Sequence, residues 1–374
     1  MIKLSPSAMT WWPDLVDHVL PDSVRAGDAF DVLSGRFAIQ TWAQLNPLVE
    51  VGDAIGVRRA RDQDLTSSGL GFEMMISHQG DFSNALVHLP AADDPVWQTG
   101  KLPVVIDAHG FSDAPRAHSK RSKISQAAVE GGAVAVALGG SRHLEGAPIL
   151  LVRSHDGMDS QPGKPMKPTD GPEQIRFVLS ELEAKVNDFA ARNGLPSVKL
   201  DVDEAVIDGF SNGGALTAIA VASGAAKHGV SFSGPTSPQI RDLVPPGPVN
   251  MIFVAGENDP LVPPQGRTGP MQADFLAPAE AAQIFADHNG TGPLSGDDLP
   301  PFLAKLVQPG VTVTATGDRE KGLVAYVHVE GMGHAVPGSD PMISKDVDPR
   351  MRLHSSDKFS GAELVQDFAS WVRS

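Results

Sequence analysis

Three residues of this chain have the types and the chain order that nucleophilic catalysis by serine requires. Ser211 lies in the pattern G-x-S-x-G, which Gly209 and Gly213 complete, and no other serine in the chain lies in that pattern. Asp259 and His334 follow in the order serine, acid, histidine. A serine becomes nucleophilic when an imidazole takes its proton, and a carboxylate orients that imidazole. The pattern predicts acyl transfer through Ser211, with His334 as base and Asp259 as orienting acid.

The residues around Ser211 predict a tight bend between a strand and a helix. An apolar run, EAVIDGF (204–210), precedes the serine, and an alanine-rich segment, NGGALTAIAVA (212–222), follows it. A serine at such a bend adopts a strained backbone, and its neighbours two residues away crowd together, so glycine is needed there. A simple packing turn would also explain the glycines, but it would not explain the acid and histidine downstream.

The acid and the histidine each follow a predicted strand. Asp259 comes after PVNMIFVAG (248–256), and His334 comes after LVAYVHVEG (323–331). Because the carboxyl ends of parallel strands meet at one edge of a sheet, we expect both side chains to lie near Ser211.

Each of these two assignments has a competitor nearby in the sequence. Glu257 is the best substitute for Asp259, which by itself would also suit the start of a turn. His328 and His354 compete with His334, although the position of His328 within a strand favours a sheet-face residue.

An oxyanion hole requires two backbone donors near the serine. The residue after the nucleophile, Asn212, is expected to supply one. The loop in DAHGFSDAP (107–115) is expected to supply the other from the N–H of Phe111, since Gly110 lets the backbone approach closely. His109 is expected to support this loop rather than to take part in the chemistry.

From residue 100 onward, apolar runs alternate with helical patterns. This alternation predicts a mostly parallel, doubly wound α/β sheet with helices on both faces. Two further strands are expected within 71–90. The predicted strands of the core cover 102–110, 132–140, 204–211, 228–234, 248–260, 311–317 and 323–331, and the predicted helices cover 170–194, 277–290 and 360–372.

Residues 1–70 do not follow this alternation and are expected to form an N-terminal extension to a catalytic domain over 71–374. The extension contains Trp11, Trp12 and Trp42. Tryptophans bury large apolar areas when they pack, so we expect the extension to pack on the catalytic core and border the site.

Composition excludes several classes of function. The chain has 374 residues and a formal net charge of −15, which disfavours nucleic-acid backbones and anionic membrane surfaces. It contains no cysteine, so disulfides and thiolate catalysis are excluded. No H-E-x-x-H, G-x-G-x-x-G or Walker pattern occurs, and we expect no metal and no cofactor. The first residues lack a signal-peptide pattern, and no apolar run is long enough to span a membrane.

The order of the motifs resembles that of the α/β-hydrolase family, among its polyhydroxybutyrate-depolymerase-like and feruloyl-esterase-like esterases. The motifs that carry the resemblance are VVIDAHGFSD, IDGFSNGGALT, GENDPLVP, AAQIFADHNG, EGMGHAVPG and GAELVQDFASWV, within 71–374. Those relatives often have Cys or Trp where this chain has Phe111, and Trp where it has Val336.

The resemblance implies a cofactor-free carboxylic-ester hydrolase that uses Ser211, Asp259 and His334. It implies feruloyl or other aryl, acetyl or polyester-type substrates, either small molecules or polymers. It also implies secretion, with the cytoplasm as the alternative, and it leaves the oligomeric state open. A peptidase or carbon–carbon-bond hydrolase of the same fold, and a non-catalytic binding protein on that scaffold, are the competing hypotheses.

Overall fold

The computed structural model describes residues 54–78, 81–111, 113–140, 171–243, 245–268, 274–340 and 355–374. Within these ranges the strands are β1 (Ala54–Arg59), β2 (Gly71–His78), β3 (Asp81–His88), β4 (Lys101–Ala108), β5 (Val134–Leu138), β6 (Lys199–Phe210), β7 (His228–Phe232), β8 (Asn250–Gly256), β9 (Arg267–Thr268), β10 (Asp274–Phe275), β11 (Val311–Thr316) and β12 (Val324–Val329). The helices are α1 (Pro115–Ser122), α2 (Ile124–Glu130), α3 (Gly171–Arg192), α4 (Asn212–Ala222), α5 (Pro278–Asn289), α6 (Pro301–Ala304) and α7 (Gly361–Trp371).

Ten of these strands form one sheet in the order β1-β2-β3-β5-β4-β6-β7-β8-β12-β11. The six central strands from β5 to β12 are parallel, while β1, β2 and β3 at one edge and β11 at the other are antiparallel to their neighbours. The chain goes outward from β4 to β5 and then returns to the other side of β4 with β6. This reversal, together with the bend after β6, gives the α/β-hydrolase fold, which confirms the predicted fold class.

Helices cover both faces of the sheet. On one face, α2 and α7 pack on the central strands through Ile124, Ala128, Leu364 and Phe368. On the other face, α3, α4 and α5 pack through side chains such as Val178, Leu216 and Phe285. The strands are buried on both sides, which explains why their sequences are continuous apolar runs rather than alternating patterns.

Helix ends follow the predicted signals. The Ser360 side chain accepts a hydrogen bond from the Glu363 N–H and so caps α7, as the capping-box spacing predicts. Gly290 ends α5 in the left-handed conformation with φ 66°. In the described part of the chain, no helix is both long and apolar enough to cross a bilayer.

The sheet begins before the predicted start of the catalytic domain. Strand β1 pairs with β2 in antiparallel register, and Arg58 lies opposite Glu73, with which it forms an ion pair of 2.9 Å. No strand was predicted within residues 1–70, because an edge strand with exposed positions lacks a strong apolar pattern. Residues 1–53, with the three tryptophans, lie outside the described residues, so the packing of the extension stays a prediction.

Candidate active site

Ser211 occupies a strained position between β6 and α4. Its backbone has φ 54° and ψ −115°, a region that residues with side chains rarely adopt. The Ser211 N–H donates to the carbonyl of Phe232 on β7, and the Ser211 carbonyl accepts from Ala215 N–H in α4. These two hydrogen bonds hold the backbone bend, while the Ser211 side chain stays partly exposed. Strain held in place by surrounding structure is typical of functional positions.

The neighbouring glycines are required by close backbone contacts. A Cβ atom at Gly209 would lie 2.3 Å from the carbonyl oxygen of Gly213. A Cβ atom at Gly213 would lie 2.1 Å from the carbonyl oxygen of Ala108 at the end of β4. Both distances are far below van der Waals contact with backbone atoms that have no room to move. The G-x-S-x-G pattern therefore brings the start of α4 against the strands that end at the site.

His334 and Asp259 form a buried pair in the loops after β12 and β8. The Nδ1 atom of His334 lies 2.8 Å from Oδ2 of Asp259, and the two residues are only 2% and 4% exposed. The other carboxylate oxygen, Oδ1, accepts the N–H groups of Leu261 and Val262 at 2.9 and 2.8 Å. The carboxylate is thus fixed in place and accepts the Nδ1 proton. Neutral His334 then has its Nε2 lone pair free to accept a proton.

Backbone hydrogen bonds tie the two loops together. The Asn258 N–H donates to the carbonyl of Met332 at 2.9 Å. The end of β8 is so close to the histidine loop that a Cβ atom at Gly256 would lie 2.3 Å from the Met332 oxygen. The first residue of α7 supports the histidine loop from the other side, where the Gly361 N–H donates to the carbonyl of Pro337. The separation of Asp259 from His334 is therefore set by the backbone.

Phe210 connects His334 to Ser211. Its ring lies against the His334 imidazole, with the ring centroids 4.8 Å apart, and it directly precedes Ser211. Ser211, Asp259 and His334 all follow the carboxyl ends of parallel strands, as predicted. Within the described residues, the Ser211 hydroxyl is not hydrogen-bonded to His334. Catalytic hydrogen bonds are often long without substrate and tighten when it binds.

The loop after β4 lies beside Ser211 and is held by His109. A Cβ atom at Gly110 would be 3.5 Å from Cβ of Ser211. The Nε2 atom of buried His109 accepts the Gly140 N–H at 3.0 Å, so Nδ1 carries the proton and donates to the Gly110 carbonyl at 2.6 Å. Because the peptide bond is planar, holding that carbonyl also fixes the direction of the Phe111 N–H. Among the described residues this N–H has no backbone acceptor.

The residues that compete with Asp259 and His334 in the sequence do not form a similar pair in the described part of the chain. Glu257 is exposed, and its carboxylate accepts the Gly331 N–H at 3.0 Å rather than a histidine. His328 lies within β12, where its ring is near that of Tyr326, with a centroid distance of 6.2 Å. His354 lies outside the described residues.

The sequence reasoning missed a polar cluster beneath the site. Asp107 on β4 and Asp208 on β6 lie side by side in the sheet, and both are fully buried. His118 of α1 contacts Asp107, with Nε2 2.7 Å from Oδ1, and the Ser122 hydroxyl donates to Oδ2 at 3.2 Å. The signal was present in the sequence, since the same apolar-Ile-Asp pattern ends both strands three residues before Gly110 and Ser211.

The two carboxyl groups differ in protonation. Burial raises the pKa of Asp208 well above its ordinary value, and the neighbouring charge of Asp107 raises it further. Burial also acts to raise the pKa of Asp107, but His118 and the hydrogen bonds from Ser122 and Asp208 lower it overall. Asp107 is therefore the anion and Asp208 the neutral acid.

Asp208→Asn should increase the free energy of unfolding at neutral and alkaline pH. In the unfolded chain Asp208 loses its proton near pH 4, whereas in the folded chain the raised pKa keeps the proton bound. The wild-type stability supplied by this group is complete below the unfolded pKa and falls by about 1.4 kcal/mol per pH unit as pH rises toward the folded pKa. Asparagine does not ionise, so this loss of stability with rising pH does not occur in the variant. Thermal unfolding from pH 5 to pH 9 measures the difference.

The matched control is Asp107→Asn, which removes the anion instead of the neutral acid. It leaves His118 and Ser122 without an ionised acceptor, so we expect a loss of stability at every pH in the same range. A melting temperature for Asp208→Asn that stays below that of the wild type at pH 8 would contradict the assignment.

No protein-family model and no curated protein sequence matches this chain. The chain is structurally similar to an acetyl xylan esterase from Aspergillus awamori at 10% identity, covering 75% of this chain and 94% of that one, with a TM-score of 0.42. It is also similar to an S-formylglutathione hydrolase from Agrobacterium tumefaciens (12% identity, 86% and 100% covered, TM-score 0.41) and to a Bacillus cereus carboxylesterase (13% identity, 68% and 88% covered, TM-score 0.38). These TM-scores are too low to support a functional assignment.

Proposed function

We propose that this protein is a serine carboxylic-ester hydrolase that works through an acyl-enzyme. The observation that carries the proposal is the buried His334–Asp259 pair at the same edge of the sheet as the strained Ser211. A hydrogen-bonded His–Asp pair behind a partly exposed serine is the arrangement that activates a hydroxyl for attack on a carbonyl carbon.

The roles follow from the chemistry of each group. Ser211 Oγ attacks the ester carbonyl while His334 Nε2 takes the proton, which His334 then gives to the leaving alcohol. Asp259 orients the imidazole and stabilises the cation that forms. The attack requires Ser211 Oγ and His334 Nε2 to approach to about 2.6–3.2 Å when substrate binds. Water then hydrolyses the acyl-enzyme by the same route, with His334 again as the base.

The oxyanion of the tetrahedral intermediate is expected to bind the N–H groups of Phe111 and Asn212. The hydrogen bond from His109 to the Gly110 carbonyl supports the first assignment, since it directs the Phe111 N–H. The position of Asn212 as the first residue of α4 supports the second, since the helix N-terminus favours negative charge. Backbone donors fixed before substrate arrives stabilise the developing charge without reorganisation.

For the substrate, we propose aryl or feruloyl, acetyl or polyester-type esters, which the sequence resemblance implies. The test is to assay the full-length protein with p-nitrophenyl acetate and butyrate against p-nitroanilides of the same acids. Methyl ferulate, acetylated xylan and polyhydroxybutyrate then form the natural-substrate panel. We expect turnover of p-nitrophenyl esters and of at least one panel member, with anilides cleaved far more slowly. Preference for anilides would favour a peptidase, and no turnover would favour a binding protein.

A further inference from the structure

The catalytic imidazole has a counterpart close by in the same layer of the fold. The Phe210 ring lies near two buried imidazoles, His334 with centroids 4.8 Å apart and His118 with centroids 6.4 Å apart and nearly parallel planes. Each imidazole has its own buried carboxylate partner, Asp259 at 2.8 Å and Asp107 at 2.7 Å. Both histidines and Phe210 line one small cavity. The proposed reaction uses only one of the two pairs.

We propose that His118 and Asp107 are positioning residues for the catalytic centre, acting through the Phe210 ring on the imidazole of His334. The inference rests on the proposed function, because it assigns a partner to the proposed base. The Nδ1 bond to Asp259 fixes one edge of the His334 ring but leaves rotation about that bond. Contact with Phe210 limits the rotation, and the plane of Phe210 is in turn limited by His118.

His118 is itself held firmly enough to act as a support. Its helix, α1, is anchored by an ion pair of 2.7 Å between Arg116 and the buried Asp64, and by another between Arg121 and the buried Asp113. Asp107, which accepts from His118, is also held by the Ser122 hydroxyl. A shift of any of these groups would be transmitted to the Phe210 ring.

The need for a stable core does not explain why the cluster around His118 and Asp107 is polar. Apolar side chains of similar volume commonly pack in a core at no cost or with a gain, whereas a buried ion pair must first lose its solvation. What a hydrogen-bonded imidazole adds is a fixed ring plane. The cluster lies directly beneath the two chain segments that end at Phe111 and Ser211. The reaction rate depends on a fixed orientation of the reacting groups at that place.

The chain contains a comparable histidine at the amino-terminal ends of the parallel strands, opposite to the end at which Ser211 lies. His228, at the start of β7, is also buried, with Nε2 2.7 Å from Glu204, and it accepts from the Asn250 amide at 3.0 Å. His228 resembles His118 in its own burial and in its short hydrogen bond to a carboxylate, but the Glu204 side chain is 34% exposed and the pair lies far along the strands from Ser211. A purely structural role for the two histidines predicts no change in kcat per folded site for either variant.

The test compares His118→Gln with His228→Gln in the full-length protein, using p-nitrophenyl butyrate. Glutamine keeps an N–H donor for each carboxylate but lacks the flat ring. Active sites are counted by fluorophosphonate titration, so that unfolded protein does not enter kcat. We expect kcat per titrated site to fall about tenfold for His118→Gln, with KM within about twofold, and to stay unchanged for His228→Gln. Equal kcat values for the two variants would overturn the proposal.

Phe210→Leu keeps the proposal testable even if His118→Gln folds poorly, because an unchanged kcat in that variant would also overturn it; where both single variants fold, they form a double-mutant cycle. Phe210→Leu removes the intermediate ring, so we expect it to lower kcat to a similar degree. In the double variant, His118→Gln should cause almost no further loss, because its effect passes through Phe210. Independent, multiplicative losses would overturn the proposal. An inactive wild type would instead contradict the esterase function, whereas an active wild type with an unaffected His118→Gln would contradict only this inference.

Discussion

Ser211→Ala is expected to lower kcat for p-nitrophenyl ester hydrolysis by about 10⁴- to 10⁶-fold while the protein remains folded. The hydroxyl is the only group of the proposed site that forms a bond to substrate, and alanine supplies none. The fold should persist because the Ser211 side chain makes no hydrogen bond to the described residues, while its backbone bonds to Phe232 and Ala215 are kept. Initial rates measure the loss of kcat, and circular dichroism with thermal unfolding measures whether the fold is kept.

The control for this substitution is another strained serine. Ser233 directly follows β7, the neighbour of β6 in the sheet, and has φ 49°, but its side chain is buried. Ser233→Ala should therefore leave kcat within about twofold of the wild type. Combining Ser211→Ala with His334→Ala should add little to either single loss, because the two groups act as one unit. Residual turnover above a few per cent in Ser211→Ala would mean that another nucleophile carries the reaction.

Asp259→Asn is expected to lower kcat by about 10⁴-fold with little change in KM. The geometry of the acid explains the size of the effect. Oδ1 accepts two backbone N–H groups, from Leu261 and Val262, so the amide oxygen must take that position. The amide NH₂ then faces His334 Nδ1 and donates to it, which places the imidazole proton on Nε2. In that tautomer His334 cannot accept the proton of Ser211.

Glu257→Gln provides the comparison, since Glu257 is the competing acid only two residues away. Its carboxylate is exposed and accepts the Gly331 N–H, which an amide oxygen can also do. We expect the variant to retain kcat within about twofold. A large loss in Glu257→Gln together with an active Asp259→Asn would reverse the assignment of the acid.

The strained bend at Ser211 was predictable because its requirements are local. A strained serine needs small neighbours two residues away on each side, and the structure shows that Cβ atoms at Gly209 and Gly213 would clash with backbone. The choice between Asp259 and Glu257 was less predictable. Both follow β8, and the difference arises from the turn over 259–262, in which Asp259 accepts two N–H groups and presents its other oxygen to His334.

The polar cluster beneath the site was not predicted, because its members come from separate elements. Asp107 and Asp208 look like isolated charges at the ends of apolar strands, and only the sheet order shows that they are neighbours. His118 reaches them from α1, whose sequence has a weak apolar pattern. Strand β1 was missed for a related reason, since an edge strand is held by pairing with β2 rather than by its own burial.

The structure of a covalent phosphonate adduct tests the central claim most directly. A p-nitrophenyl alkylphosphonate mimics the tetrahedral intermediate and should bond through phosphorus to Ser211 Oγ. We expect the phosphoryl oxygen to lie about 2.7–3.1 Å from the N–H groups of Phe111 and Asn212, with His334 Nε2 within reach of the remaining ester oxygen. An unmodified Ser211, or an adduct whose phosphoryl oxygen faces neither N–H group while His334 points away from it, would contradict the account.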